Sequence, residues 1–180
     1  MFNYNLPPEK IAQRPIQGRH NSKLLWARAK DRDLEFIKDE VFLSFPSILN
    51  KNDLLVFNNS RVIPARFFCS LNNNEGKELE VLLLREDSVG SSVWQALAKP
   101  MKKFKTDLEF SLAENILAKV IGRTEDQNRL LLELSSPIDL LEAIKQNGSI
   151  PIPPYVRGGK SDTEDKEVYQ TEYALSLIHI

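Results

Sequence analysis

The sequence predicts an α+β protein with mixed α/β character, in which a discontinuous α/β domain carries an inserted small antiparallel β-barrel. Three observations support this fold class. Short strand-like segments separated by polar turns fill residues 67–149, which is typical of a small barrel. Residues 53–57 form a continuous apolar run, the composition of a strand covered on both faces. Three prolines in residues 150–155 then force an extended segment that leaves the barrel.

The bulk composition is that of a globular protein with a substantial core. The chain has 180 residues, of which 42% are hydrophobic and 27% are charged. Its net charge of −1 shows no basic excess, so any RNA site must come from a local cluster of Lys and Arg. The chain start lacks the pattern of a signal peptide, and no apolar run approaches the roughly 20 residues of a membrane span. We therefore expect a cytoplasmic protein with no membrane partner.

The amino-terminal elements follow from proline positions and alternating apolar residues. Prolines at both ends predict a short helix over residues 6–15, and residues 45–49 suggest a single helical turn. Two strands, residues 22–29 and 34–42, surround a polar turn. Turn-forming residues at 58–60 end the apolar run that precedes them.

The central segment contains the strands of the predicted barrel. They lie near residues 79–83, 93–98, 108–110, 116–121 and 129–134, and the last two form a hairpin. A helix then begins with Ser136 as its cap and Pro137 at its first position, and it ends at Gly148. These elements divide the chain into residues 1–66 and 150–180 of the α/β domain and residues 67–149 of the barrel.

Two residue types that often carry chemistry have structural interpretations here. Cys69 is the only cysteine, which excludes a disulfide within the chain and fits a reducing compartment. It lies in a strand-like run and is interpreted as a core residue. His20 is interpreted as an exposed loop residue, and His179 is given no role.

Residues 53–66 carry a string that identifies a family. They read D-L-L-V-F-N-N-S-R-V-I-P-A-R, which is similar to the D-L-L-V-F-N-[DN]-[ST]-[RK]-V-[IF]-P-A-R signature of the S-adenosylmethionine:tRNA ribosyltransferase-isomerases. Further matches run in order through residues 2–6, 11–13, 15, 19, 22–25, 76–77, 80–84, 94–100, 102–103, 105, 150–157, 165, 169–171 and 173–174. The resemblance ends after Ala174. It implies an amino-terminal half that is cut short, with residues 175–180 either a truncated or mis-joined end or a terminal strand.

The resemblance implies a reaction in which S-adenosylmethionine is a consumed substrate and no cofactor or metal is needed. Its ribosyl part moves to the aminomethyl group of 7-aminomethyl-7-deazaguanine in tRNA and rearranges to give epoxyqueuosine. The implied partners are S-adenosylmethionine and tRNA carrying that base, bound by a monomer. The attacking amine must be neutral, which requires a base or a desolvating pocket. No catalytic residue or general base is assigned from the sequence.

The matching positions include the predicted substrate-binding residues, which are Arg19, Ser22, Asn58, Ser60, Arg61, Arg66, Tyr155, Arg157 and Gln170. Four of them follow the predicted buried strand, at the end of a strand where ligands collect in α/β sheets. Arg61 is the strongest of these, as a binder of an anion or of ribose hydroxyls. The alternatives are a turn with Asn58 and Ser60 capping backbone groups, a packing role for Tyr155, and a bracing role for Gln170.

Four lysines in one loop-like stretch, Lys99, Lys102, Lys103 and Lys105, are the predicted contacts to the tRNA backbone. A solvated turn without a nucleic-acid partner would have the same composition. Two other functions therefore stay open, a non-catalytic RNA-binding β-barrel module and a purely structural α+β domain. The position of the signature string outside the barrel favours an enzyme built from two modules.

Overall fold

The computed structural model describes residues 4–31, 33–71 and 78–173. The chain divides into two compact units, Met1–Phe57 and Asn58–Ile180. The predicted boundaries at residues 66 and 149 stay predictions. The family-like residues 2–3, 76–77 and 174 and the predicted truncated end at 175–180 lie outside the described residues.

The first unit is organised around an antiparallel hairpin. Strands β1 (Lys23–Lys30) and β2 (Asp33–Val41) pair with Trp26 opposite Lys38, and a short helix α1 (Phe45–Ile48) follows. The ring of Trp26 meets that of Phe36 edge to face at 5.0 Å between centroids. The hairpin and the helical turn confirm the sequence prediction. The helix expected over residues 6–15 is wrong, because only Pro8–Lys10 forms a 3₁₀ turn there.

The buried strand predicted at residues 53–57 is also wrong. This segment has no regular secondary structure, and its side chains are exposed, with Leu54 at 87% and Val56 at 86%. A central strand needs hydrogen-bonded neighbours and a layer on each face. The described residues supply neither, since their sheets contain only the eight strands named in this section. The segment is apolar, but neighbouring strands and layers do not cover it among the described residues.

The second unit contains a nearly closed six-stranded antiparallel barrel, which confirms the predicted fold class. Its sheet order is β3-β4-β5-β8-β7-β6, and the edge strands β3 and β6 approach to Cα distances within 8 Å. The strands are β3 (Arg66–Cys69), β4 (Leu79–Glu86), β5 (Val93–Lys99), β6 (Glu109–Ala113), β7 (Ile116–Arg123) and β8 (Leu130–Ser135).

Alternate residues of each strand face the interior of the barrel. Leu79, Val81 and Leu83 of β4 are buried, whereas the residues between them are only partly covered. Burial stabilises each such aliphatic side chain by roughly 1.5–3 kcal/mol. Cys69 belongs to the same core, and burial raises the pKa of its thiol to about 11, which leaves it protonated and unreactive at neutral pH. The interpretation of Cys69 as a core residue is confirmed.

Two helices follow the barrel, α2 (Leu140–Asn147) and α3 (Asp165–Val168). The predicted cap of α2 at Ser136 is wrong, because Asp139 accepts from the backbone N–H of Glu142 at 2.9 Å. Both residue types suit a cap, and the chain enters the helix three residues later than expected. Residues 150–153 are non-helical, as the prolines predict, and Ile150 and Ile152 are buried. None of the described helices has the length and apolar composition to cross a membrane.

The end of α2 packs directly on the chain that enters the barrel. Arg66 and Ser149 exchange two backbone hydrogen bonds, of 3.1 and 2.8 Å. This close approach requires glycine at position 148, because a Cβ atom there would lie 1.6 Å from the carbonyl oxygen of Pro64. Helix α2 therefore fixes the path of residues 64–66.

We predict that Gly148→Ala destabilises the protein by about 1–3 kcal/mol or more, because the added methyl group overlaps backbone that cannot move freely. Urea unfolding followed by circular dichroism measures this loss. Gly122→Ala is the matched control, since its added Cβ would meet nothing within 4 Å. Equal unfolding midpoints for the two variants would show that the contact at Pro64 is not tight.

Candidate functional site

A cavity of about 460 Å³ lies within the second unit, beside β4. Residues just before the barrel form one wall, and β4 with the start of β5 forms the other. Most of the lining is apolar, with a few polar groups. The lining residues are Asn58, Ser60, Arg61, Val62, Ile63, Ala65, Leu82, Leu83, Leu84, Arg85, Glu86, Val89, Trp94, Leu141 and Pro151.

Three predicted substrate-binding residues, Asn58, Ser60 and Arg61, are brought together in this cavity. Asn58 also makes a local turn, in which its Oδ1 accepts from the N–H of Ser60 at 2.8 Å. The predicted capping turn and the predicted ligand site are thus the same segment. Arg61 is exposed and contributes to the cavity lining.

Side chains from the chain after α3 hold this wall in place. The Gln170 carboxamide accepts from the N–H of Val62 at 2.8 Å and donates to its carbonyl at 3.0 Å, as a neighbouring strand would. The hydroxyl of Thr171 donates to the carbonyl of Asn58 at 2.8 Å. Gln170 therefore braces this wall, and its contact with substrate stays a prediction.

Arg66 and Arg157 hold the segment that leaves the barrel. Nη1 of Arg66 donates to the carbonyls of Ile152 at 2.7 Å and Gly159 at 2.9 Å. Its Nε lies 3.0 Å from the carboxylate of Glu80, an ion pair without the alignment of a hydrogen bond. Arg157 forms an ion pair with the buried carboxylate of Asp165.

Neither arginine lines the cavity. Both belong to contacts within the fold, and this geometry gives no support to their predicted contact with substrate. An arginine at either position can bind a substrate anion or form an ion pair within the fold. The sequence does not show that Glu80 and Asp165 come near these arginines.

The other predicted substrate residues lie outside the cavity lining. Tyr155 is 63% exposed in the segment that follows the barrel. Arg19 and Ser22 belong to the first unit, where Arg19 is exposed in a 3₁₀ turn and the carbonyl of Ser22 accepts from the N–H of Phe42 at 2.8 Å. The roles of Arg19, Ser22 and Tyr155 stay predictions.

The lysine loop, defined here as residues 99–105, is a fixed positive surface. Lys99, Lys102, Lys103 and Lys105 are all exposed, and none forms a salt bridge with another described residue. Phe104 between them is fully buried and packs on Phe110 at 5.4 Å between ring centroids. The buried ring holds the loop to the barrel, and the ammonium groups are available to an anionic partner.

Sequence reasoning missed the wall that the barrel contributes. Leu82 and Leu84 are on the outer face of β4, opposite in direction to the core residues Val81 and Leu83. Trp94 is 3% exposed, and its indole N–H has no acceptor among the described residues. The available signal was the uninterrupted apolar run over residues 81–84, since a strand with one solvated face alternates.

Fold and site together define an α+β protein with a nearly closed barrel and a cavity beside β4. A family model described as queuosine biosynthesis protein matches residues 1–177, and the chain belongs to that family. Over 181 aligned residues it is 39% identical to the S-adenosylmethionine:tRNA ribosyltransferase-isomerase of Deinococcus radiodurans, covering 96% of this chain and 47% of that protein.

A solved structure is also similar, the S-adenosylmethionine tRNA ribosyltransferase of Thermotoga maritima. The two chains are 32% identical, with 82% of this chain and 48% of that chain covered and a TM-score of 0.38. The chain thus spans about half the length of the relatives that it matches.

We predict that Gln170→Ala destabilises the cavity wall by about 1–3 kcal/mol, because the Val62 N–H loses its partner in a partly buried position. Thermal unfolding measures the loss. Gln146→Ala is the control, because Gln146 is exposed and bonds only to Glu142 on its own helix. A Gln170 variant as stable as the Gln146 variant would show that the brace contributes nothing.

Proposed function

We propose that this chain is part of an S-adenosylmethionine:tRNA ribosyltransferase-isomerase of queuosine biosynthesis. The enzyme transfers the ribosyl moiety of S-adenosylmethionine to 7-aminomethyl-7-deazaguanine in tRNA and forms epoxyqueuosine. One observation carries this proposal: the family string at residues 53–66 leads into the cavity, where Asn58, Ser60 and Arg61 form one wall. S-adenosylmethionine is consumed as a substrate, so the reaction needs no cofactor.

The cavity meets two physical demands of this reaction. Its apolar lining favours the neutral form of an incoming amine, because burial lowers the pKa of an amine. The Arg61 guanidinium at its edge suits a carboxylate, a phosphate or ribose hydroxyls. The sulfonium is already a charged leaving group, so the ribosyl transfer requires correct positioning more than activation by a metal.

The lysine loop is the part of this chain that we assign to tRNA. Its four exposed ammonium groups supply a local positive surface on a chain of net charge −1. Phosphate contacts of this kind position a nucleic acid without reading its sequence. We place the enzyme in the cytoplasm as a monomer, with the tRNA held by contacts on the barrel.

A non-catalytic RNA-binding β-barrel remains the second candidate, because the lysine loop belongs to the barrel itself. It does not account for the cavity, whose polar residues at 58–61 precede the barrel strands. An RNA-binding module would bind tRNA without a response to S-adenosylmethionine.

We predict that a chimera of residues 1–173 and the carboxyl-terminal half of the Deinococcus relative releases adenine from S-adenosylmethionine. Release should require tRNA that carries 7-aminomethyl-7-deazaguanine, with unmodified tRNA as the control. Chromatography of the free adenine measures the release.

Arg61→Ala should lower turnover of the chimera by about 10²-fold or more with an unchanged melting temperature. Arg123→Ala, on β7 and outside the cavity lining, is the matched control.

No adenine release from a folded chimera would contradict the enzymatic proposal. Full activity of the Arg61 variant would remove this residue from the site and leave the family assignment untouched.

We predict that replacing Lys102, Lys103 and Lys105 by Ala weakens tRNA binding and flattens its dependence on salt. Each lost phosphate contact should reduce the slope of log K against log salt by about 0.9 for duplex regions. Filter binding over a range of salt concentrations measures both quantities. A variant with Lys145, Lys160 and Lys166 replaced by Ala carries the same change of net charge, and equal behaviour of the two variants would make the lysine loop a bystander.

A further inference from the structure

The outer face of β4 is apolar where a barrel normally meets water. Leu82 and Leu84 are partly buried on that face. Leu141 of α2 also lines the cavity, and so does Trp94 of β5, a core residue that pairs with Glu86 of β4. The fold therefore keeps an apolar surface beside an open space of about 460 Å³. That volume lies within the range of about 300–1,000 Å³ typical of small-molecule sites.

Polar groups come from both walls of the lining. They are Asn58, Ser60 and Arg61 before the barrel and Arg85 and Glu86 at the end of β4. Glu86 also accepts from the N–H of Gly90 at 2.7 Å, which holds its carboxylate against the β4–β5 turn. A fitting ligand thus has a flat, weakly hydrated body and a polar or charged end.

A purine nucleoside with a charged tail has both properties. Its ring offers two apolar faces to leucine and tryptophan side chains, and its ring nitrogens are hydrogen-bond acceptors. The N–H of Trp94 is a buried donor with no acceptor among the described residues, which costs about 1–3 kcal/mol. A bound purine with a ring nitrogen within hydrogen-bond distance would accept a hydrogen bond from this N–H.

We propose that the adenine of S-adenosylmethionine lies against the barrel wall formed by Leu82, Leu84 and Trp94, with the ribose and methionine directed toward Arg61 and Asn58. This inference rests on the proposed function, which names S-adenosylmethionine as the substrate. It adds that the inserted barrel binds the leaving base. The barrel then takes part in recognising the small substrate as well as the tRNA.

The test uses the emission of Trp94 in the 180-residue chain. The sequence contains two tryptophans, so Trp26→Phe leaves Trp94 as the only one. Adenosine and S-adenosylmethionine should each change this emission with saturation, whereas methionine alone should not. Calorimetry with the unmodified chain gives the affinities independently of fluorescence.

Leu84→Gln should weaken adenosine binding at least about tenfold, because it places a polar amide where the ring lies. Leu117→Gln is the matched control, on β7 outside this cavity and 61% exposed. Circular dichroism verifies that both variants fold.

A response of Trp94 to methionine but not to adenosine would overturn the inference, because the other end of the substrate would occupy the wall. Binding of S-adenosylmethionine in calorimetry with a silent Trp94 and a neutral Leu84 variant would also overturn it, while leaving the proposed function intact. Absence of adenosine binding to the folded chain would overturn it as well, and adenine release by the chimera would still report separately on the enzyme.

Discussion

The candidate site depends on a small set of hydrogen bonds that fasten residues 58–66 to the barrel and to the chain after α3. Ala65 accepts from the N–H of Leu83 on β4 at 2.9 Å, and Gln170 pairs with both backbone groups of Val62. Among the described residues the segment forms no regular strand before Arg66, so these few bonds and the pairing of Arg66 with Ser149 determine its path. They give the cavity its second wall and keep Arg61 at its edge.

This arrangement separates two kinds of arginine that look alike in the sequence. Arg61 is exposed at a cavity edge, whereas Arg66 is bound to two carbonyls and faces Glu80. A mostly covered guanidinium that binds carbonyls and a carboxylate of its own chain holds the fold. An exposed one beside an apolar cavity retains its donors for an anionic or hydroxyl-bearing substrate. In this chain the two roles are only five residues apart.

The local patterns in the sequence predicted the barrel well, because strand alternation and polar turns are set by neighbouring residues. The hairpin of β7 and β8 and the extended segment after Gly148 are examples. The environment of residues 53–57 was not predictable in this way, because it depends on residues far along the chain. The predicted strand does not form. The segment's apolar side chains are instead exposed among the described residues.

The same limit applies to the site. The signature string correctly indicated that Asn58, Ser60 and Arg61 lie together, since they are neighbours in sequence. The opposite wall combines Leu84, a partly buried residue of β4, with Trp94, a core residue of β5, and long-range packing decides which residues of the two strands border the cavity. Nor could the sequence show that Gln170 would reach Val62, because 108 residues separate them.

Hydrogen exchange at the backbone N–H of Val62 tests the central claim most directly. The structure makes this amide a donor to Gln170, so it should exchange slowly in the native protein, at a rate comparable to Leu83 in β4. Leu54 and Val56, exposed and outside any strand, should exchange fast. A Val62 amide that exchanged as fast as those two would show that the wall carrying Arg61 is not fastened to the fold, and the account of the site would fail.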